Sequence, residues 1–201
     1  MNRSVRWIPA SGVGAEHLHI QMLPDMGHLV ESVVVGTRSS VDFGLSYRIV
    51  LDRAWQVREA ELRLVGNGQC LMLRADGRGH WHDAHGAPLA ALDGCMDIDI
   101  AATPFTNTIP IRRLGLQQDE AKVIRLVYVP IPSLAPVAIE QRYTCLQPDR
   151  LYRYEGLVSG FIPTAQSIDV RCPPPSCRRM PVSTTCLRRS KASRGYRHAP
   201  A

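Results

Sequence analysis

The chain has 201 residues, 45% hydrophobic and 21% charged, which describes one soluble globular domain with its own core and excludes disorder for most of its length. Its longest apolar runs, residues 32–36 and 123–129, fall far short of the ~20 residues of a membrane helix; residues 1–14 lack the apolar stretch of an export signal, so a cytoplasmic location with reduced thiols is expected. The formal charge of +6 is no argument for nucleic-acid binding, because residues 171–201 hold 8 of the 24 Lys and Arg and none of the 18 acids, leaving residues 1–170 at −2.

Strand signals dominate the chain in order. Residues 16–22 read E-H-L-H-I-Q-M with Leu18, Ile20 and Met22 on one face, and residues 28–36 follow as a Val-rich run. In residues 44–52, Leu45, Tyr47, Ile49 and Leu51 share one face and Ser46, Arg48 and Asp52 the other, the alternation of a half-buried strand. In residues 55–65, Trp55, Val57 and Glu59 keep one phase and Leu62 and Leu64 the opposite one, which predicts a bulge near residues 59–61. Asn67-Gly68 predicts a hairpin turn with residues 70–75 as its return strand, and Asp76-Gly77 a second turn into residues 79–83. After Leu92-Asp93-Gly94 come a strand at 95–100, a polar loop at 103–113, and strands at 123–129, 136–146 and 151–157. Turn signals at about every eight to twelve residues predict a mainly β, antiparallel meander, roll or incomplete barrel with little helix, spanning residues 1–170. Residues 171–201, rich in Pro, Arg and Cys without a period, are expected to be a disordered tail.

Three clusters invite chemistry. His17-Leu18-His19 and His80-Trp81-His82-Asp83-Ala84-His85 place imidazoles at i, i+2, on one side of a strand, which suits zinc only if further ligands join them; the alternative is a solvated or hydrogen-bonded histidine group. Asp97 and Asp99 likewise share a face, either for metal or acid–base chemistry or as the polar side of a strand whose Ile98 and Ile100 face the core. Cys70, Cys95 and Cys145 read as buried small hydrophobes. There is no P-loop, no G-x-G-x-x-G, no G-x-S-x-G and no C-x-x-C, and 6% aromatic content argues against a stacking platform for single-stranded nucleic acid. No metal, cofactor or catalytic residue is assigned.

The most particular stretch is Thr103-Pro104-Phe105-Thr106-Asn107-Thr108-Ile109-Pro110-Ile111-Arg112-Arg113-Leu114. Together with residues 47–58, which include Tyr47 and Trp55, with Asp76-Gly77-Arg78-Gly79-His80-Trp81, with Gln141-Arg142-Tyr143-Thr144 and with Tyr152-Arg153-Tyr154-Glu155, it resembles the putative glycolipid-binding protein family of bacteria. The resemblance runs from Glu16 to Phe161. It implies a single spiral antiparallel β-roll, similar to the carriers that ferry lipoproteins to the outer membrane, with an apolar concavity for a glycolipid or another acyl-chain ligand, an inference by analogy of fold.

On that reading Leu45, Tyr47, Ile49, Leu51, Val127, Val129 and Tyr143 are candidates to line the concavity, the alternative being an ordinary core. Asp97, Asp99, Thr106, Asn107, Arg112 and Arg113 are candidates for a polar rim that bonds sugar hydroxyls or phosphate. The alternative is that they pin a loop, with Asp97, Asn107 and Arg112 bonded to one another. Trp55 and Trp81 complete the candidate ligand contacts. Two other functions stay open: a structural or interaction module, and an enzyme using the Asp97/Asp99 pair. Relatives that match through Ser159-Gly160-Phe161 continue with a further acidic strand. Here Arg171-Cys172-Pro173-Pro174-Pro175 follows instead, in a chain with 22 Arg and 2 Lys. A frameshift is therefore expected in the tail, against the alternatives of a basic segment for nucleic acid or anionic lipid and of a metal-binding cysteine cluster.

Overall fold

Period-2 alternation produces a seven-stranded antiparallel sheet in strict chain order: β1 (Asn2–Trp7), β2 (Gly14–Leu23), β3 (Gly27–Arg38), β4 (Val41–Leu51), β5 (Val57–Leu64), β6 (Cys70–Ala75) and β7 (Trp81–His82). This computed structural model describes residues 2–9, 13–24, 27–38, 40–157 and, for the backbone alone, 165–169. The expected tail with Cys172, Cys177 and Cys186, and Phe161 before it, lie outside the described residues.

The sheet curls into a half-barrel, and its register carries one row of side chains across the concave face. Val5, Leu18, Ser32, Tyr47, Leu62 and Leu71 are successive partners, and so are Trp7, Glu16, Val34, Leu45 and Leu64 in the next row. The phase change in β5 falls at Arg58, the extra residue between the pairs Val50–Glu59 and Leu51–Val57, slightly before the predicted 59–61. Beyond it Ala60, Leu62 and Leu64 face the core. Trp55 stands before the strand, in a turn with φ 63°, and its ring lies 4.5 Å from that of His28. Gly27 starts β3 at φ +87°, where a Cβ would fall 2.3 Å from the Asp52 carbonyl carbon; glycine alone allows that approach.

The second sheet contains β8 (Asp97–Ile100), β9 (Ala121–Val129), β10 (Val137–Gln147), β11 (Leu151–Gly156) and β12 (Ala165–Asp169), in the order β12-β11-β10-β9-β8. All pairs are antiparallel except β8 with β9, which run parallel. A parallel neighbour needs a crossover, and the segment predicted as a polar loop supplies it: a 3₁₀ turn, Phe105–Asn107, runs into helix α1 (Thr108–Leu114). Helix forms there because Pro110 is the third helical residue, where its missing N–H has no intrahelical acceptor to lose. Gly115 ends the helix in the left-handed region, its N–H donating to the Ile111 carbonyl at 3.2 Å.

One face of the second sheet, with Ile98, Ile100, Val127 and Val129, packs into the concave side of the first, joined by Phe105 and Ile109. The other face packs Leu126, Tyr143, Cys145 and Tyr152 with Ile111 and Leu116. Burying so many aliphatic side chains, at about 25 cal/mol per Å² of apolar surface, is the main force holding the sheets together. Leu45, Tyr47, Ile49, Leu51, Val127, Val129 and Tyr143 are all buried to 3% exposure or less, and none of them borders the cavity at the end of the sandwich. Cys95 and Cys145 are buried as expected; Cys70 is exposed. Among the described residues no helix is long and apolar enough to cross a membrane.

Candidate functional site

One open space lies at an end of the sandwich. A cavity of about 430 Å³ is bounded by Trp7 at the end of β1 and Ile8 and Pro9 after it, by Gly14 to Glu16 of β2, by the end of β3 with Val34 to Arg38, by Phe43, and by residues 99–104, Asn107, Tyr128 and Tyr154 from the second sheet and its crossover. That volume is within the roughly 300–1,000 Å³ of small-molecule sites. Its two ends differ. Ile8 and Val13 are 48% and 83% exposed at the mouth, whereas Glu16, Asp99 and Asn107 are between 4% and 9% exposed at the inner end.

The segment Thr103–Asn107 builds the inner end by joining the two sheets. Thr103 Oγ1 donates to Glu16 Oε1 at 2.9 Å, and Ser32 Oγ and Tyr47 OH donate to the same oxygen at 2.7 and 2.6 Å. Three residues on, Thr106 Oγ1 donates to Asp99 Oδ1 at 3.0 Å, while Gln141 Nε2 donates to Asp99 Oδ2 at 2.7 Å. Tyr143 OH lies 2.8 Å from both Gln141 Oε1 and Asn107 Oδ1. One hydroxyl proton serves a single acceptor, so both contacts hold when the Asn107 amide is turned to present Nδ2 to the tyrosine oxygen. Arg38 spans the mouth, donating to the Ala101 carbonyl at 2.8 Å and to Tyr128 OH at 3.2 Å.

Burial raises the Glu16 carboxyl above its ordinary value, against the pull of its three donors. Burial likewise raises Asp99, against Gln141, Thr106 and Arg38. Burial and the neighbouring Glu16 push the Tyr47 hydroxyl far up, which keeps it a donor.

The predicted site residues are thereby separated. Asp99 and Asn107 line the cavity; Thr106, Tyr47 and Tyr143 stand behind it and orient the residues that do. Asp97 points to the helix instead: it is fully buried, and Arg113 grips it with two bonds, Nε to Oδ1 at 2.9 Å and Nη2 to Oδ2 at 2.6 Å. Asp97, Asn107 and Arg112 are not mutually bonded. Arg112 lies 3.7 Å from Asp149, a side chain 89% exposed, because on α1 it is Arg113 that faces β8. Trp55 meets the His28 ring at a tilt of 34°, and buried Trp81 donates to the Cys95 carbonyl at 2.8 Å; neither borders the cavity. Asp97 and Asp99 share a strand face, as their spacing requires, but do not converge on one cleft. Among the described residues no three of His, Cys, Asp and Glu gather to hold a metal ion. His19 pairs with Ser4 at 3.0 Å and His80 with Asp76 at 2.8 Å.

Glu16 is the residue that the sequence reading missed. Its signal was present: it falls in phase with Leu18, Ile20 and Met22, a carboxylate on the apolar face of a strand. Trp7 went unseen because β1 was not predicted.

A family model described as putative glycolipid-binding matches residues 4–171. The chain is also similar to the crystal structure of a DUF1089 family protein from Pseudomonas aeruginosa, 39% identical, over 77% of this chain and 84% of that one, with a TM-score of 0.67. No curated protein matches it.

Proposed function

The chain belongs to the putative glycolipid-binding family, and from that premise we propose that it binds one amphipathic molecule in the end cavity, headgroup inward. The observation that carries this is the gradient along the cavity, from exposed Ile8 and Val13 at the mouth to buried Glu16, Asp99 and Asn107 at the inner end. Polar groups buried deep are held in place by the protein, as an orienting site requires, and the apolar mouth receives the chain. The acyl portion therefore meets the rim and not the center of the sandwich, which the core already fills. Asp97, Arg113, Trp55 and Trp81 support the scaffold on this reading and do not touch ligand.

A fluorescent glycolipid probe tests it. Binding should saturate, compete with unlabelled glycolipid and be blocked by Gly36→Trp, whose side chain would project from the Val34 face of β3 beside Phe43, into the cavity. Binding that does not saturate, or that Gly36→Trp leaves intact in a folded protein, would refute the site.

A further inference from the structure

Among the described residues, the lining of the cavity includes one buried side-chain oxygen without a hydrogen-bond partner. Glu16 Oε2 is buried and has no hydrogen-bond partner among the described residues, on a side chain 4% exposed that lines the cavity. Its other oxygen, Oε1, already receives Ser32, Tyr47 and Thr103. A desolvated carboxylate oxygen without a donor is costly. A donor brought by a ligand removes that cost.

We propose that Glu16 Oε2 accepts a hydrogen bond from a hydroxyl of a neutral, hydroxylated headgroup, and so sets a preference for sugar- or polyol-bearing amphiphiles. The inference rests on the cavity being the amphiphile site. Trp7 is the direct cross-strand partner of Glu16, so the indole and the carboxylate project from the same face of the β1–β2 pair. A hydroxylated ring suits that pair, its apolar face against the indole and its hydroxyl edge on the carboxylate. Anionic headgroups are disfavoured by two carboxylates, Glu16 and Asp99, in one cavity. A cationic headgroup would meet Arg38 at the mouth. Asp99 and Asn107 at the inner end offer further hydrogen-bonding atoms, as several hydroxyls need and a single charge does not.

The test titrates the full chain with n-octyl glucoside, its permethylated derivative and n-octylammonium, each below its micellar concentration, by calorimetry and tryptophan fluorescence. Octyl glucoside should bind roughly ten- to a hundredfold more tightly than the permethylated compound, the range for a hydrogen bond to a charged or buried group. Glu16→Gln keeps a carbonyl for the three donors and replaces Oε2 with an NH2, so it should melt near the wild-type temperature and lose that preference. The 13C shift of the Glu16 carboxyl in the wild type identifies the acceptor without any variant: it should move with octyl glucoside and not with the permethylated compound. If no amphiphile saturates the wild type, the cavity reading fails and this inference with it. If amphiphiles bind but the hydroxyls make no difference, or octylammonium binds best, or the Glu16 shift stays fixed, the cavity reading stands and Glu16 is not the headgroup acceptor.

Discussion

Two buried carboxylates, Asp97 and Glu16, meet the same physical problem in different ways. Each sits on a strand, nearly free of solvent, and each is reached by the crossover between the sheets. Asp97 is matched by the planar fork of Arg113, with both oxygens bonded. Among the described residues, Glu16 receives three donors on one oxygen and none on the other. Asp97 lies against the helix, outside the cavity; Glu16 lines it. A carboxylate whose hydrogen bonds are complete acts as scaffold, and one left incomplete beside open space is a candidate for recognition.

The sharpest way to break that contrast is to remove the Asp97 partner. Arg113→Ala strands a fully buried carboxylate, for which roughly 3–5 kcal/mol is expected. Arg112→Ala, which loses a 3.7 Å contact to exposed Asp149, should cost at most about 1 kcal/mol. Urea unfolding of the two variants checks it, and equal losses would mean that the fork around Asp97 does not stabilise the crossover.

Much of this was legible in the sequence, for a physical reason. Strand phase is local, so alternation placed Leu45, Tyr47, Ile49 and Leu51 on one face, and turn chemistry at Asn67-Gly68 placed the hairpin. The crossover was harder. Its Thr and Arg content reads as a loop because the tertiary partners of those side chains, Glu16, Asp99 and Asp97, lie elsewhere in sequence. Arg112 and Arg113 are adjacent, and only the helix, with its ~100° between neighbours, decides which of them meets Asp97. Glu16 was assigned no role because a single in-phase carboxylate is silent until its neighbours are known.

A smaller effect comes from the donors to Glu16. Thr103→Val removes the bond to Oε1 and the acceptor for the Phe105 N–H, at 2.9 and 3.0 Å. About 1–3 kcal/mol of stability should go with them, less than for Arg113→Ala because two donors remain. A loss as large as that of Arg113→Ala would mean that Glu16 depends on its partners as fully as Asp97 does.

The smallest effect, and the most selective, is the pH dependence of stability. Burial raises the folded-state Glu16 carboxyl above its ordinary value of 4.5. The folded chain therefore retains this proton at pH values where the unfolded chain has released it. Stability from this group is fully present below about 4.5 and is lost as pH rises from there through the raised folded value. Asp97 and Asp99, also raised by burial, act in the same direction. Asp76, held at about 2 chiefly by the Arg78 backbone N–H, acts in the opposite one. These other groups are common to the wild type and Glu16→Gln, so subtracting the two pH profiles isolates Glu16 to the extent that the sites titrate independently. The wild type should lose stability relative to Glu16→Gln as pH rises from about 4.5 toward neutrality, measured from urea midpoints in one buffer series. Saturating octyl glucoside should shrink the difference by favouring the ionised carboxylate, whose Oε2 then has its donor. Parallel profiles without ligand would mean that Glu16 titrates as in the unfolded chain, and that its open oxygen is not desolvated.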